Sequence, residues 1–141
     1  MALAGVECSV LTLDLGLQPE RITDLRPSTV TALHCTVPRY FLFPLPEPRI
    51  CQLVHNADIV HLMGHWTLLN ALVYREARRQ AKPYVVCPAG ALPIYGRSRR
   101  LKNTYNLLAG RPCMQNADAC VAVARNEMEH FATYGVAPER V

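Results

Sequence analysis

The chain has 141 residues, 50% of them apolar and 18% charged, with a formal net charge of +4. That is enough apolar material for one domain with a real core, and too little charge for a disordered chain. No run approaches the roughly 18 apolar residues of a spanning helix, and the first residues lack the basic segment and apolar core of a signal peptide, so the chain by itself is not an integral membrane protein.

In chain order, Val6 to Leu15 reads as a strand, because β-branched and apolar residues alternate with polar ones before the turn-rich Gly16 to Pro19. Val30 to Val37 is a second strand, bounded by Pro27 and Pro38. Prolines at 38, 44, 46 and 48 exclude a regular helix or a central strand, which leaves a surface loop with Tyr40, Phe41 and Phe43 as aromatic anchors. Arg49 to Asn56 fits a short helix, and Ile59 to Met63 a buried strand that stops at Gly64-His65-Trp66. Leu68 to Gln80 is a helix with an apolar stripe at Leu68, Leu69, Leu72 and Ala77. A further strand, Tyr84 to Cys87, closes on Pro88-Ala89-Gly90-Ala91-Leu92-Pro93.

Ser98 to Asn116 repeats the helical pattern, with Gly110 and Pro112 expected to interrupt or kink it. Ala119 to Val123 is the next strand, and Asn126 opens a last helix that runs to Tyr134 and stops at Gly135. This order predicts an α/β, Rossmann-like structure, a mostly parallel sheet with helices on both faces. The stretch from Ala57 to Leu92 is a βαβ unit, whose two loops at the carboxyl ends of the strands lie side by side. Open α/β sheets bind ligands at that edge, so the polar and aromatic groups there are candidate site residues.

Both ends read as cut. Met1 to Gly5 resembles the last turn of a helix entering the first strand, and the chain stops at Glu139-Arg140-Val141, where another apolar strand is expected. The expectation is a single domain over 1–141, truncated at both ends, with its first strand missing and an exposed strand edge.

Six cysteines, at 8, 35, 51, 87, 113 and 120, include no close pair of the zinc-knuckle or redox type. Cys8, Cys87 and Cys120 sit in strand-like runs, where a thiol packs as a small hydrophobe. Free thiols point to a reducing cytosol. The basic cluster Arg97, Arg99, Arg100 and Lys102 reads first as a solvated helix start, and otherwise as a contact for an anionic membrane surface or a phosphate-bearing ligand. Nucleic acid is not expected, since no binding motif or interleaved aromatics accompany the charge. The chain also lacks G-x-G-x-x-G, a phosphate loop and a Gly-x-Ser-x-Gly elbow.

Four ordered segments resemble the N-terminal, acceptor-side domain of family 4 retaining glycosyltransferases with GT-B architecture. They are Val6-Glu7-Cys8-Ser9-Val10-Leu11-Thr12; Ala57-Asp58-Ile59-Val60-His61 through Gly64 and Trp66; Lys82-Pro83-Tyr84-Val85-Val86 with Pro88-x-Gly90-x-Leu92; and Ala117-Asp118-Ala119 through Glu127 to Tyr134-Gly135-Val136. The resemblance implies one half of a GT-B fold. It also implies transfer of a sugar from a nucleotide-diphosphate sugar to an acceptor hydroxyl with retention, in cell-surface polysaccharide or glycolipid assembly. Neither a metal nor another cofactor is implied. The implied partners are a C-terminal nucleotide-sugar domain and a saccharide or lipid-linked acceptor. The implied location is the cytoplasm, with peripheral contact at the inner face of the membrane.

By position, His61, Gly64, His65, Trp66, Pro88 and Gly90 match the turns that relatives use near the acceptor. The catalytic residue is left open, with His65 as the one candidate: relatives often show His-x-His-Gly, whereas Met63 takes the second His place here and His65 follows the glycine. Ala89 stands where many relatives place His or Arg, and alanine can neither donate a hydrogen bond nor carry charge. Glu127, at a helix start, reads as a structural carboxylate favoured by the helix dipole. The alternative is a non-catalytic α/β remnant or interaction module, which would bind no nucleotide sugar.

Overall fold

The computed structural model describes residues 4–94 and 98–141, in two compact units, one ending at Glu47 and the other running from Pro48 to Val141. The expectations placed on Met1 to Leu3, Tyr95, Gly96 and Arg97 lie outside the described residues. All paired strands are parallel, in an α/β arrangement of the Rossmann type, one half of a GT-B fold.

In the first unit, β1 (Ser9–Leu13) pairs in parallel with β2 (Thr29–Leu33), Ser9 opposite Thr29 and Leu13 opposite Leu33. The sequence reading has two strands in succession; the structure puts a short helix, α1 (Pro19–Asp24), between them. Parallel strands cannot be joined by a tight turn, so the chain must cross back. Pro19 at the helix start and Glu20 in the first turn suit that role. Of the three expected aromatic anchors, only Phe43 is buried; Tyr40 and Phe41 are exposed. Asp14, just past β1, accepts the Cys35 N–H at 2.8 Å and meets His34 Nδ1 at 2.8 Å. Those two bonds, the Cys35 one foremost, hold its carboxyl below the ordinary carboxylate range.

The second unit begins with α2 (Pro48–Asn56), which buries Ile50 and Val54, an i,i+4 pair on one face. Three parallel strands follow in sequence order: β3 (Val60–Met63), β4 (Tyr84–Cys87) and β5 (Ala119–Cys120). Val60 lies opposite Tyr84 and Val86 opposite Cys120. Between β3 and β4 runs α3 (Leu68–Arg79), started by the Thr67 side chain accepting the Asn70 N–H at 3.1 Å. Its buried residues are Val73 and Ala77, whereas Leu68, Leu69 and Leu72 of the expected stripe are half-buried. β4 is buried along its length except at Val85, which is half-buried, as a strand flanked on both sides must be.

The segment after β4 departs most from a plain helix. α4 (Arg99–Tyr105) passes into a π-helical turn at Asn106–Gly110, then into α5 (Arg111–Gln115). Pro112 has no N–H to donate, and a wider turn carries the chain past it, with the Arg111 N–H reaching back to the Asn106 carbonyl. β5 is shorter than expected, because Val121 and Val123 are exposed beyond it. The last helix, α6 (Glu127–Thr133), stops at Tyr134 and Gly135, whose φ of 78° is the left-handed value a helix terminus favours. All six cysteines are free; Cys35, Cys87, Cys113 and Cys120 are buried, Cys8 is half-buried and Cys51 exposed. Burial pushes the Cys113 thiol up to about 12, so it packs as an apolar group. Among the described residues, no helix is long and apolar enough to cross a membrane.

Candidate functional site

The carboxyl ends of β3 and β4 bring two loops together. Gly64 turns the chain out of β3 with a φ of 76°, and its N–H donates to the Cys87 carbonyl at 2.9 Å. Past β4, Ala89 and Gly90 both take left-handed φ, 51° and 81°, and the Ala91 N–H closes the turn on the Pro88 carbonyl at 3.1 Å. Alanine in that region is strained, and such strain gathers at ligand-facing turns. The Trp66 indole N–H donates to the Ala91 carbonyl and so ties the first loop to the second. Pro88 is fully buried under this turn, while Ala89 and Gly90 are exposed. Gly64, Trp66, Pro88 and Gly90 therefore form one edge. His61 lies one step inside β3, on the exposed side of a strand that buries Val60 and Leu62.

His65 is the centre of a buried polar network. It is only 3% exposed. Its Nε2 meets Asn106 Oδ1 at 3.0 Å, and with a carbonyl oxygen accepting, Nε2 carries the hydrogen. Asn106 Nδ2 donates to the Tyr134 hydroxyl at 2.9 Å, and that hydroxyl donates to the Leu92 carbonyl at 2.9 Å. The Tyr105 hydroxyl donates to the His65 carbonyl at 2.5 Å. The imidazole stands edge-on to the rings of Trp66, Tyr105 and Tyr134, at centroid distances of 4.5, 5.5 and 5.3 Å. Burial lowers the His65 pKa, only partly opposed by the Asn106 bond, so the ring is neutral at physiological pH. Burial also pushes the Tyr105 and Tyr134 phenols up, which keeps both hydroxyls protonated as donors.

Thus Trp66 Nε1 and the His65 ring are spent on holding the two loops. His65 stands beneath the edge, and what it does there is position Trp66 and the π turn. Gly110 closes against it: a Cβ at that position would meet Asn106 Oδ1, and would come within 2.9 Å of His65 Nε2. Sequence reasoning passed over Asn106, Tyr105 and Tyr134 as helix residues. The available signal was a buried-type pattern in which asparagine interrupts a run ending in Gly110 and Pro112.

The basic cluster divides. Arg99 and Arg100 are exposed, whereas Lys102 is half-buried with its ammonium 5.2 Å from the centre of the Trp66 ring. Three leucines share this segment with large exposure, Leu101 at 56%, Leu107 at 76% and Leu108 at 73%. Among the described residues, no three His, Cys, Asp or Glu side chains are placed to hold a metal ion.

The whole chain, residues 1–141, matches the family described as a glycosyl transferase 4-like domain. The chain belongs to that glycosyltransferase family. No curated protein matches it. The Gly64 and Gly90 turns lie at the carboxyl ends of β3 and β4, the edge at which open α/β sheets in general bind ligands.

Proposed function

We propose that this domain is the acceptor-side wall of a retaining glycosyltransferase. A second, nucleotide-sugar-binding domain supplies the donor, and the sugar passes to an acceptor hydroxyl in cell-surface polysaccharide or glycolipid assembly, with no metal or other cofactor. The observation that carries the reading is the joined edge of Gly64, Trp66 and Gly90, with an indole locked between a half-buried glycine turn and an exposed one, in a chain of this family. Aromatic rings beside open backbone suit a saccharide, whose faces are apolar and whose rim is hydroxylated. Departing negative charge on the diphosphate is met from the other wall, since Ala89 offers no side-chain donor.

Trp66 is the one tryptophan of the chain, so its fluorescence reports on this edge alone. Titration with the methyl glycosides of glucose, galactose, mannose and N-acetylglucosamine should shift its emission saturably for at least one sugar. Emission unchanged by all four would sink the acceptor reading and favour the non-catalytic interaction module.

The same reading places the domain on the cytoplasmic face of a membrane. Its support is the combination of exposed Arg99 and Arg100 with exposed Leu101, Leu107 and Leu108, since basic residues near anionic lipid contribute about 1 kcal/mol each and leucines insert at the interface. Co-sedimentation with phosphatidylglycerol vesicles should weaken about 30-fold in an Arg99→Gln/Arg100→Gln variant. Equal binding by the variant, or to phosphatidylcholine alone, would remove the membrane from the proposal.

A further inference from the structure

One carboxylate in this edge is only half used. Glu127 is 3% exposed, and its Oε2 accepts the Val123 N–H at 2.7 Å, closing the turn between β5 and α6. Its other oxygen, Oε1, is shut off from solvent and has no hydrogen-bond partner among the described residues. A buried carboxylate oxygen without a donor is costly, and native proteins rarely keep one without a use. The structural role needs only one oxygen, and a neutral amide would serve it as well.

Oε1 points at the turn already described. A Cβ on Gly90 would stand 3.7 Å from it, in direct contact. The backbone at Ala89 and Gly90, with φ of 51° and 81°, is held in left-handed conformations and is exposed. Adjacent parallel strands β4 and β5 thus bring a spare acceptor up to bare backbone at the ligand edge. A carboxylate can only accept, so what completes it is a donor.

We infer that Glu127 is a saccharide-binding residue whose Oε1 accepts a hydrogen bond from a ligand hydroxyl lying over the Gly90 turn. This rests on the acceptor-side reading above. The bond is charge-assisted, which gives it both strength and direction, and it involves no proton transfer. Gly90 is then required for more than its φ: any side chain there would stand against the oxygen that the hydroxyl must reach.

The test is a nitrogen-15 amide titration of the full chain with the same four methyl glycosides. The Val123 amide donates to the same carboxylate, so it and Gly90 should shift saturably with at least one sugar. Glu127→Gln keeps an oxygen for Val123 but turns an NH₂ group toward the ligand, and should weaken binding about tenfold or more with the rest of the spectrum unchanged. Sugar-dependent shifts at Gly64 and Trp66 without any at Val123 and Gly90, or equal affinity in Glu127→Gln, would overturn the role of Glu127 and leave the acceptor reading standing. Shifts nowhere would overturn both.

Discussion

Asn106→Ala is expected to lower the unfolding free energy by about 2–4 kcal/mol. The side chain is buried, accepts from His65 Nε2 and donates to the Tyr134 hydroxyl. Truncation leaves the imidazole N–H without an acceptor in a place water does not reach, which costs about 1–3 kcal/mol, and removes one bond from a hydroxyl that keeps its Leu92 partner, about 1 kcal/mol more. Asn116 is the control. It donates to the Pro112 carbonyl at 2.8 Å and to the Tyr74 hydroxyl at 3.3 Å, but it is exposed, so water replaces what alanine removes and the loss should stay near 0.5–1 kcal/mol. Urea unfolding followed by Trp66 emission measures both, and a loss for Asn106→Ala no larger than for Asn116→Ala would show that the network does not stabilise the edge. The same experiment has a pH arm. Burial sets the folded pKa of His65 below the unfolded value, so its share of the stability is complete above about pH 6.5 and is lost as pH falls toward the folded pKa. The urea midpoint should therefore drop between about pH 7.5 and 5.5.

Gly110→Ala should also destabilise, by about 1–3 kcal/mol, although two effects oppose each other there. Gly110 has an ordinary helical φ of −62°, so alanine would favour the helix by about 0.5–1 kcal/mol through the entropy of the unfolded chain. Against that, the new methyl group would overlap Asn106 Oδ1 and stand 2.9 Å from His65 Nε2 and 3.0 Å from His65 Cε1. Those atoms are not the free ends of flexible side chains. They are held by each other, by Tyr134 and by three aromatic rings, so the clash wins and the His65–Asn106 bond breaks. A melting temperature equal to or above that of the unmodified chain would mean that the π turn relaxes to a regular helix at no cost. Trp66 emission should report the same event, since the indole packs on His65.

How far each element could be read depends on whether its cause is local. α2, α3, β3 and β4 fall within one or two residues of their expected limits, because an apolar run, a Thr67 cap or a glycine turn needs only near neighbours to act. α1 was hidden: Pro19–Asp24 buries no residue, so no apolar stripe marks it, and only the parallel pairing of β1 with β2 demands it. β5 was overestimated, since Val121 and Val123 look like strand residues until the sheet's extent leaves them exposed. Gly110 and Pro112 announced a break in the helix between Ser98 and Asn116, but not its form. A π turn rather than a kink follows from Asn106 facing His65 across 41 residues, a contact no window of the sequence contains.

The site shows the same division. By themselves, the residues of this chain determined that two glycine turns would end neighbouring parallel strands, that a tryptophan would stand beside them, and that the chain resembles a glycosyltransferase domain, because periodicity, turn chemistry and ordered motifs are written along the chain. The tertiary structure alone decided that His65 lies beneath the edge as a neutral hydrogen-bonded anchor, that Trp66 bridges the loops through Ala91, and that Glu127 carries an oxygen facing Gly90. Burial and hydrogen-bond partners set what a histidine or a glutamate can do, and both are fixed by residues tens of positions away, brought close only when the sheet assembles.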